Sequence, residues 1–277
     1  MFTTLIGINE LERLVSAASV RVIDCRFDLA DVDLGRRQYR QAHIPGAAYA
    51  HLECDLSADK KPERGRHPLP STAHMNAVFS RLGIDKRQQV VFYDATNGIF
   101  AARAWWMLRY LGHPGAAVLD GGWQQWADAG LPTQNGELSP SSAAFLGVPR
   151  TDRLVSIDDI SARLNLVDAR EPARFRGEVE PLDPRAGHIP GAKNHFFLGN
   201  LEEQGKFRQP IELQRAFTTS LGKLPDSETV HYCGSGVSAC HNILAQVHAG
   251  LDEPRLYCGS WSEWCADSSR PFAEGEG

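Results

Sequence analysis

The residue best suited to covalent chemistry lies in a short loop between a predicted strand and a predicted helix. Cys233 follows the apolar run Thr229–Tyr232 and opens the sequence Cys-Gly-Ser-Gly-Val-Ser, and a helical pattern, Ala239–His248, comes next. The partial positive charge and the N–H groups at a helix N-terminus favour a thiolate over a thiol. Gly234 and Gly236 let the backbone curl so that several N–H groups converge on one anion. These residues predict a cysteine that can carry a negatively charged group, such as a second sulfur atom.

Two other roles are available to a cysteine in this position. A single cysteine is often a buried and inert packing residue. A cysteine loop can also hydrolyse phosphate esters, but that chemistry needs an arginine six positions later to bind the phosphoryl oxygens. The residue at that position is Ala239, which disfavours a phosphatase.

An internal repeat decides between the inert and the reactive cysteine. Four motifs of the first half return in the same order in the second half, with offsets between 138 and 145 residues: Val22–Asp24 as Leu166–Asp168, His43–Ala47 as His188–Ala192, Val91–Asp94 as Val230–Cys233, and Gly121–Trp126 as Gly259–Trp264. A repeat of this length indicates a duplicated domain rather than a solenoid unit. Asp94 occupies the position of Cys233 in the first half, which predicts one active site and one that lacks a nucleophile. Since His43 and His188 recur in both halves, we expect them to be structural.

The patterns within each half predict an α/β fold. Apolar runs at Val20–Ile23 and Gln89–Tyr93 are typical of buried strands. Helical spacing marks Ala101–Leu111, with Arg103 on its polar side, and Ile157–Leu164. Strands that alternate with helices favour a mainly parallel sheet flanked by helices.

Composition sets limits on the class of protein. The formal charge of −5 gives no basic excess for nucleic-acid or anionic-membrane binding, and no apolar run is long enough to cross a bilayer. The N-terminal residues lack the pattern of a signal peptide, so we expect a cytoplasmic protein with reduced thiols. The cysteines form no CxxC pair, so no metal site is predicted. We expect the cysteines other than Cys233 to be structural: Cys25, Cys54, Cys240, Cys258 and Cys265.

The combination of motifs resembles one family. Two His-Ile-Pro-Gly-Ala motifs, a Gly-x-Trp near the end of each half, and the cysteine loop in the second half alone are similar to the tandem rhodanese sulfurtransferases, over Thr3–Phe272. The resemblance implies two rhodanese-like α/β domains, a non-catalytic one at residues 1–135 and a catalytic one at 151–277. The proline-containing segment Leu131–Thr151 is the expected linker. The resemblance implies a ping-pong cycle without a cofactor, in which Cys233 takes sulfur from a small-molecule donor and passes it to cyanide, a thiol or a reduced protein.

The loop sequence bears on the donor. Family members that use 3-mercaptopyruvate tend to carry Cys-Gly-Ser-Gly-Val-Thr, which this chain matches with Ser238 in place of threonine. Members that use thiosulfate tend to carry cationic residues after the cysteine. Gly234, Gly236, Val237 and Ser238 are therefore the expected donor-binding loop, with mercaptopyruvate favoured and thiosulfate open.

The resemblance also implies a serine–histidine–aspartate set. Ser235 matches the family's serine, whose hydroxyl would donate to a developing enolate or relay a proton. His67, in His-Pro-Leu-Pro, matches the family's histidine. The aspartate is Asp55 or Asp59, and we favour Asp55.

A donor carboxylate calls for arginine, whose planar fork binds a carboxylate through two hydrogen bonds. Arg174, in Arg-Phe-Arg-Gly, matches the family's substrate arginine. Mercaptopyruvate enzymes carry a second arginine nine residues later, where this chain has Asp183. Arg185 lies two residues further and is the available alternative.

Overall fold

The computed structural model describes residues 1–161 and 164–276. The chain forms two compact units. The N-terminal unit consists of Met1–Ala58, Pro70–Arg150 and Gln204–Lys206, and the C-terminal unit consists of Asp59–Leu69, Thr151–Glu203 and Phe207–Gly277. The predicted division placed Asp59–Leu69 in the N-terminal domain, whereas its contacts lie with the C-terminal unit. Among the described residues, no helix combines the length and the apolar character that a bilayer span requires.

The N-terminal unit contains a parallel sheet of five strands within the described residues. The strands are β1 (Leu5–Ile6), β2 (Val20–Asp24), β3 (Ala48–Tyr49), β4 (Gln89–Tyr93) and β5 (Ala116–Leu119). Their order is β1-β5-β4-β2-β3. The helices are α1 (Ile8–Ser16), α2 (Leu34–Gln41), α3 (Thr72–Arg81), α4 (Ile99–Tyr110) and α5 (Gly122–Asp128).

The C-terminal unit repeats this architecture over its described residues. Its strands are β6 (Leu154–Val155), β7 (Asn165–Asp168), β8 (Lys193–Asn194), β9 (Thr229–Tyr232) and β10 (Arg255–Tyr257), in the order β6-β10-β9-β7-β8. Its α-helices are α6 (Pro172–Phe175), α7 (Pro210–Leu221), α8 (Ser238–His248) and α9 (Ser260–Trp264). Short 3-10 turns occur at Pro62–Arg64, Thr151–Arg153, Ile157–Asp159 and Phe197–Asn200. The expected fold, two α/β domains with parallel sheets, is confirmed.

The strands that lead to the two corresponding loops are buried along their whole length. Every residue of β4 and of β9 is buried, as expected for inner strands of a parallel sheet covered on both faces. Each strand passes at its carboxyl end into a loop and then into a helix, α4 or α8. The carboxyl edge of a parallel sheet is where such folds bind ligands.

The repeated His-Ile-Pro-Gly-Ala turns are bound to these same strands. The N–H of Ile44 donates to the hydroxyl of Tyr93 at 3.3 Å, and the N–H of Ile189 donates to that of Tyr232 at 3.3 Å. The two tyrosines directly precede Asp94 and Cys233. His188 is buried and stacks on Phe175 at 3.8 Å. The turns therefore fix the strand ends in both units.

Two predicted helices differ from the structure. The predicted helix Ala101–Leu111 is α4, but Arg103 is fully buried rather than polar-facing, and its guanidinium donates to the carbonyl of Leu56 at 3.2 Å. The predicted helix Ile157–Leu164 is wrong: Ile157–Asp159 form one 3-10 turn, and Ile160 is extended. The apolar side chains of this segment have helical spacing and pack on the core, but its described residues form no α-helix. Ala162 and Arg163 lie outside the described residues.

The predicted linker is attached to the N-terminal unit. Within Leu131–Thr151, the N–H of Ala143 donates to the carbonyl of Ser80 at 2.9 Å. Phe145 is buried and meets Phe79 edge-on at 5.7 Å. The segment therefore contributes to the core instead of forming a free tether.

Candidate active site

Cys233 is held by hydrogen bonds on its backbone and on its sulfur. Its N–H donates to Ser260 Oγ at 3.1 Å, and its carbonyl accepts from the N–H of Trp261 at 2.9 Å. Sγ accepts the N–H of Gly236 at 3.2 Å. The residue is 2 % exposed and lies five residues before the first residue of α8, Ser238. The geometry brings the sulfur to the N–H of Gly236, while the convergence of several N–H groups on it stays a prediction.

The predicted donor-binding loop is buried and tightly packed. Gly236 has φ +75°, and a Cβ there would lie 2.3 Å from the carbonyl oxygen of Cys258, so glycine is required. A Cβ on Gly234 would lie 2.7 Å from Arg66 Nη2. Val237 is buried directly before α8, and Ser238 begins that helix. The four loop residues named from the sequence thus surround the cysteine.

The corresponding loop of the N-terminal unit binds an anion of its own. Asp94 is 1 % exposed, and its carboxylate accepts four backbone N–H groups, from Thr96 at 2.7 Å and from Gly98, Phe100 and Ala101 at 2.9 Å each. Asp94 also lies five residues before its helix, since α4 begins at Ile99. This loop design therefore places several N–H donors around a negative group on its first residue.

Ser235 and His67 form a buried pair beside the cysteine. His67 Nδ1 lies 2.8 Å from Ser235 Oγ, and the two residues are 4 % and 7 % exposed. The predicted contact between them is present, although the residues are 168 positions apart. A hydroxyl bonded to an imidazole can exchange a proton with it.

Several contacts hold the segment that carries His67. The N–H of Arg66 donates to Ser262 Oγ at 3.1 Å. The carbonyl of His67 accepts from Cys258 Sγ at 3.8 Å. Gly65 has φ +79°, and a Cβ there would lie 2.8 Å from the carbonyl oxygen of Gly259. The segment Asp59–Leu69 is therefore an integral part of the C-terminal unit.

Asp55, favoured as the acid behind His67, has other partners. One of its carboxylate oxygens accepts the N–H of His51 at 2.9 Å, and the other pairs with Arg81. All three residues belong to the N-terminal unit. Asp59 is exposed in the segment that precedes His67. The assignment of Asp55 as the partner of His67 stays a prediction. In the structure the carboxylate of Asp55 is paired with Arg81.

Arg174 and Arg66 share one buried carboxylate. Arg174 Nη2 lies 2.6 Å from Glu180 and 3.3 Å from Asp183 Oδ2, and Arg66 Nη1 pairs with Asp183 Oδ1. Burial raises the pKa of Asp183 above its ordinary value, against the opposing effect of Arg66. Burial is the largest single effect on the pKa of Glu180 and acts to raise it. The hydrogen bonds from Arg174 and from the N–H of Leu182, with the charges of Arg174 and Arg170, together outweigh burial, so that pKa is lowered.

Arg185, the alternative second arginine, is bound elsewhere. Its guanidinium lies over the ring of Phe272 at 4.7 Å, and Nη1 donates to the carbonyl of Arg270 at 3.5 Å. The arginine that joins Arg174 at Asp183 is Arg66, which was not singled out from the sequence. Its position directly before His67, in Gly-Arg-His-Pro, was the available signal.

Ser260 is a second residue that the sequence analysis missed. It is fully buried at φ +57°, in the left-handed region that favours glycine, and its hydroxyl accepts the N–H of Cys233. The repeat pairs it with Gly122, which has φ +56°. The available signal was the replacement of the repeat's glycine by serine, which occurs in the half that carries the cysteine.

The remaining cysteines form no disulfide among the described residues, and four of the five are buried. Cys25, Cys240, Cys258 and Cys265 are buried, and Cys54 is exposed. Cys240 Sγ donates to the carbonyl of Gly236 at 3.4 Å. Within the described part of the chain, no three His, Cys, Asp or Glu side chains are grouped to hold a metal ion.

Comparisons with known proteins agree with this geometry. A family model described as a rhodanese-like domain matches residues 8–129 and 154–267. A probable 3-mercaptopyruvate sulfurtransferase from Pseudomonas aeruginosa is 47% identical over 98% of each chain, and a putative thiosulfate sulfurtransferase, SseB, from Mycobacterium tuberculosis is 39% identical over 98% of this chain and 97% of its own. The structure of 3-mercaptopyruvate sulfurtransferase from Leishmania major, at 34% identity, matches with a TM-score of 0.83 over 95% of this chain and 74% of that one. The chain therefore belongs to the tandem rhodanese family and is a sulfurtransferase.

Proposed function

We propose that the protein moves sulfur from 3-mercaptopyruvate to a thiophilic acceptor through a persulfide on Cys233. The observation that carries the donor assignment is the buried hydrogen bond between Ser235 and His67, two residues from the nucleophile. A donor whose leaving group is a carbanion needs a proton at that group, and this pair is placed to supply or relay one.

The first half-reaction forms a sulfur–sulfur bond and breaks a carbon–sulfur bond. The Cys233 thiolate attacks the donor sulfur, and the electron pair of the carbon–sulfur bond passes to the enolate of pyruvate. The thiol proton of the donor is transferred to the carbon, by way of Ser235, which yields pyruvate and the charged persulfide. No oxidant or reductant enters this step.

In the second half-reaction the acceptor attacks the outer sulfur of the persulfide. Cyanide leaves as thiocyanate, a thiol leaves as a persulfide, and the Cys233 thiolate is regenerated. We propose a small thiol, cyanide or a reduced thiol protein as acceptor, in the reducing conditions of the cytoplasm, since free cysteines are typical of that compartment.

The hydrogen bonds around Asp94 are an argument for a persulfide on Cys233. An aspartate Oδ atom and the outer sulfur of a cysteine persulfide each lie two bonds from Cβ. In the N-terminal unit the loop surrounds those oxygens with four N–H donors. The loop that begins at Cys233 has the same spacing to its helix, so its N–H groups are suited to the outer sulfur of the loaded enzyme.

Thiosulfate is the second candidate donor. It is favoured by the relative from Mycobacterium tuberculosis, whose name is putative thiosulfate sulfurtransferase. Thiosulfate would load the same persulfide and release sulfite, which needs no proton from Ser235. The two donors therefore make different demands on the site.

The nucleophile is tested by Cys233→Ser, with Cys54→Ser, the exposed cysteine, as matched control. We expect the Cys233 variant to lose turnover with both donors, because a hydroxyl scarcely ionises near pH 7 and forms no stable persulfide. Intact-mass analysis after donor treatment should show one added sulfur in the wild type and the Cys54 variant. Turnover by folded Cys233→Ser would contradict the assignment.

A further inference from the structure

We propose that Ser260 is a positioning residue that fixes the backbone of Cys233 and leaves its sulfur free to react. This role rests on the proposed function of Cys233 as the nucleophile, and it is independent of which donor supplies the sulfur. Ser260 is the first residue of α9, which follows β10 in the C-terminal unit.

Two hydrogen bonds from α9 hold the polar backbone groups of Cys233. Ser260 Oγ accepts the N–H of Cys233 at 3.1 Å, and the N–H of Trp261 donates to the carbonyl of Cys233 at 2.9 Å. The hydroxyl of Ser260 donates in turn to the carbonyl of Tyr257 at 3.0 Å. Cys233 and Ser260 are 2 % and 0 % exposed, so water does not compete for these bonds. The peptide groups on both sides of the Cys233 Cα are therefore fixed.

The N-terminal unit makes the carbonyl bond but has no side chain for the other. The N–H of Trp123 donates to the carbonyl of Asp94 at 2.8 Å. The repeat pairs Ser260 with Gly122, and a Cβ on Gly122 would lie 2.5 Å from the carbonyl oxygen of Asp94. That unit therefore has no room for a serine at this position. The side-chain bond to the backbone of the first loop residue belongs to the unit that carries the cysteine.

The first loop residues of the two units need different anchors. The carboxylate of Asp94 is fixed directly, because it accepts four backbone N–H groups. A nucleophilic sulfur forms and breaks a bond in each half-reaction, so its position cannot depend on permanent bonds to the sulfur itself. Bonds to the peptide groups on both sides of Cys233 limit the positions of its Cβ and Sγ and leave the sulfur available.

Backbone strain at Ser260 is a second, independent observation. Its φ of +57° lies in the left-handed region, where a Cβ is disfavoured. Among the described residues, the other non-glycine positions with positive φ are Ala18 and Asn97, and both are exposed. Glycine would occupy the Ser260 position without strain, as Gly122 does in the repeat. A strained residue that is retained at a functional site indicates that its side chain supplies something glycine cannot.

The test compares Ser260→Gly, Ser260→Ala and wild type. Both substitutions remove the acceptor of the Cys233 N–H, but glycine also relieves the strain, so Ser260→Gly should unfold at a higher denaturant concentration than Ser260→Ala. Rapid quenching and intact-mass analysis measure persulfide formation. Its rate constant at saturating 3-mercaptopyruvate should fall about 10- to 100-fold in both variants, because a small displacement of a reacting atom is costly. The donor concentration at half-saturation should stay within about twofold, since no donor contact is removed.

Ala18→Gly is the matched control for strain alone. It removes a left-handed side chain without removing a hydrogen bond of the cysteine loop, so it should gain stability and keep the wild-type rate. Transfer of sulfur from the loaded enzyme to dithiothreitol should slow in the two Ser260 variants by a factor similar to that for loading, because the same sulfur reacts in both half-reactions.

A wild-type rate in either Ser260 variant would overturn the role of Ser260. A rate that recovers with stability from the alanine to the glycine variant would do the same, as would a loss confined to one half-reaction or to half-saturation. If wild type gains sulfur from thiosulfate but not from mercaptopyruvate, the proposed donor is wrong, and the same comparison with thiosulfate decides the role of Ser260. A wild type that gains no sulfur from either donor would overturn the proposed function and this role with it.

Discussion

Among single residues, Ser235 separates the two candidate donors most sharply. Its hydroxyl is bonded to a buried histidine and lies in the loop of the nucleophile. Pyruvate can leave only if its enolate carbon gains a proton, whereas sulfite leaves as a stable anion. We therefore expect the Ser235 hydroxyl to contribute to turnover of mercaptopyruvate and not of thiosulfate.

Ser235→Ala should lower kcat/KM for mercaptopyruvate about 100-fold or more, the usual contribution of a positioned proton donor, and change that for thiosulfate much less. His67→Gln should reproduce the pattern. The measurement is the ratio of the two efficiencies at one pH, in each variant and in wild type. Equal losses with both donors would show that the pair shapes the loop instead of moving a proton.

Contacts between residues that are close in the sequence could be predicted, whereas contacts between distant residues could not be predicted from local patterns. Cys233, Ser235 and the loop glycines follow one another, so their shared loop could be predicted. The pairing of His67 with Ser235 required a family resemblance, because their separation of 168 residues carries no local signal. The ion pair of Arg66 with Asp183 could not be predicted, since it depends on where Asp183 lies in space. Asp55 illustrates the opposite case, in which a plausible acid binds Arg81.

The strand–loop–helix elements of the two units each direct loop N–H donors at the side chain of the first loop residue, but that side chain differs. In the N-terminal element the anion is permanent, the carboxylate of Asp94. In the C-terminal element the corresponding acceptor is the sulfur of Cys233, which accepts the N–H of Gly236. We expect the Asp94 carboxylate to contribute to folding, and the transferable sulfur proposed on Cys233 to contribute to turnover.

Asp94→Ala should therefore affect stability more than catalysis. The substitution leaves four N–H groups, three of them in buried hydrogen bonds, without their acceptor, and we expect a loss of about 2–4 kcal/mol in the free energy of unfolding. Asp94→Asn, which keeps one carbonyl acceptor, should lose less. Denaturant unfolding and donor kinetics on the same samples check both expectations. A hundredfold loss of turnover in the folded variant would show that the first unit takes part in the chemistry.

Strand β9 contains a buried histidine where β4 has Phe92. Burial lowers the pKa of His231 from 6.5 to about 4, although its hydrogen bond to Gln246 acts against this. The native state thus keeps His231 neutral, while the unfolded chain binds a proton. The stability from this residue is present above pH 6.5 and is lost as the pH falls toward 4.

We expect the wild type to lose about 2 kcal/mol of stability through His231 between pH 7 and pH 5. His231→Phe, which copies the N-terminal unit, should remove that part of the pH dependence. Urea unfolding at both pH values measures it, with His74→Gln on the exposed face of α3 as control. An unchanged pH dependence in His231→Phe would mean that other groups govern acid stability.

For the whole molecule, duplication made the architecture predictable. Motifs that recur in the same order predicted two α/β domains, and the apolar and helical patterns predicted strands β2, β4 and β9 and helices α4 and α8. Arg103 and Ile157–Leu164 show where pattern reasoning ends. A charged side chain can be buried against a carbonyl, and an apolar spacing of three and four residues can pack on a core without forming a helix. The assignment of Asp59–Leu69 was also beyond the sequence, because chain order places it within the first repeat.

That segment links catalysis to the integrity of both halves. Asp59–Leu69 packs in the C-terminal unit, but peptide bonds join its ends to Ala58 and Pro70 of the N-terminal unit. Unfolding of the N-terminal unit would release both anchors of the segment that holds Arg66 and His67. We therefore expect the N-terminal unit to act as a scaffold for this segment. If His67 takes part in proton transfer as proposed, turnover should fall when the N-terminal unit unfolds, although that unit has no nucleophile.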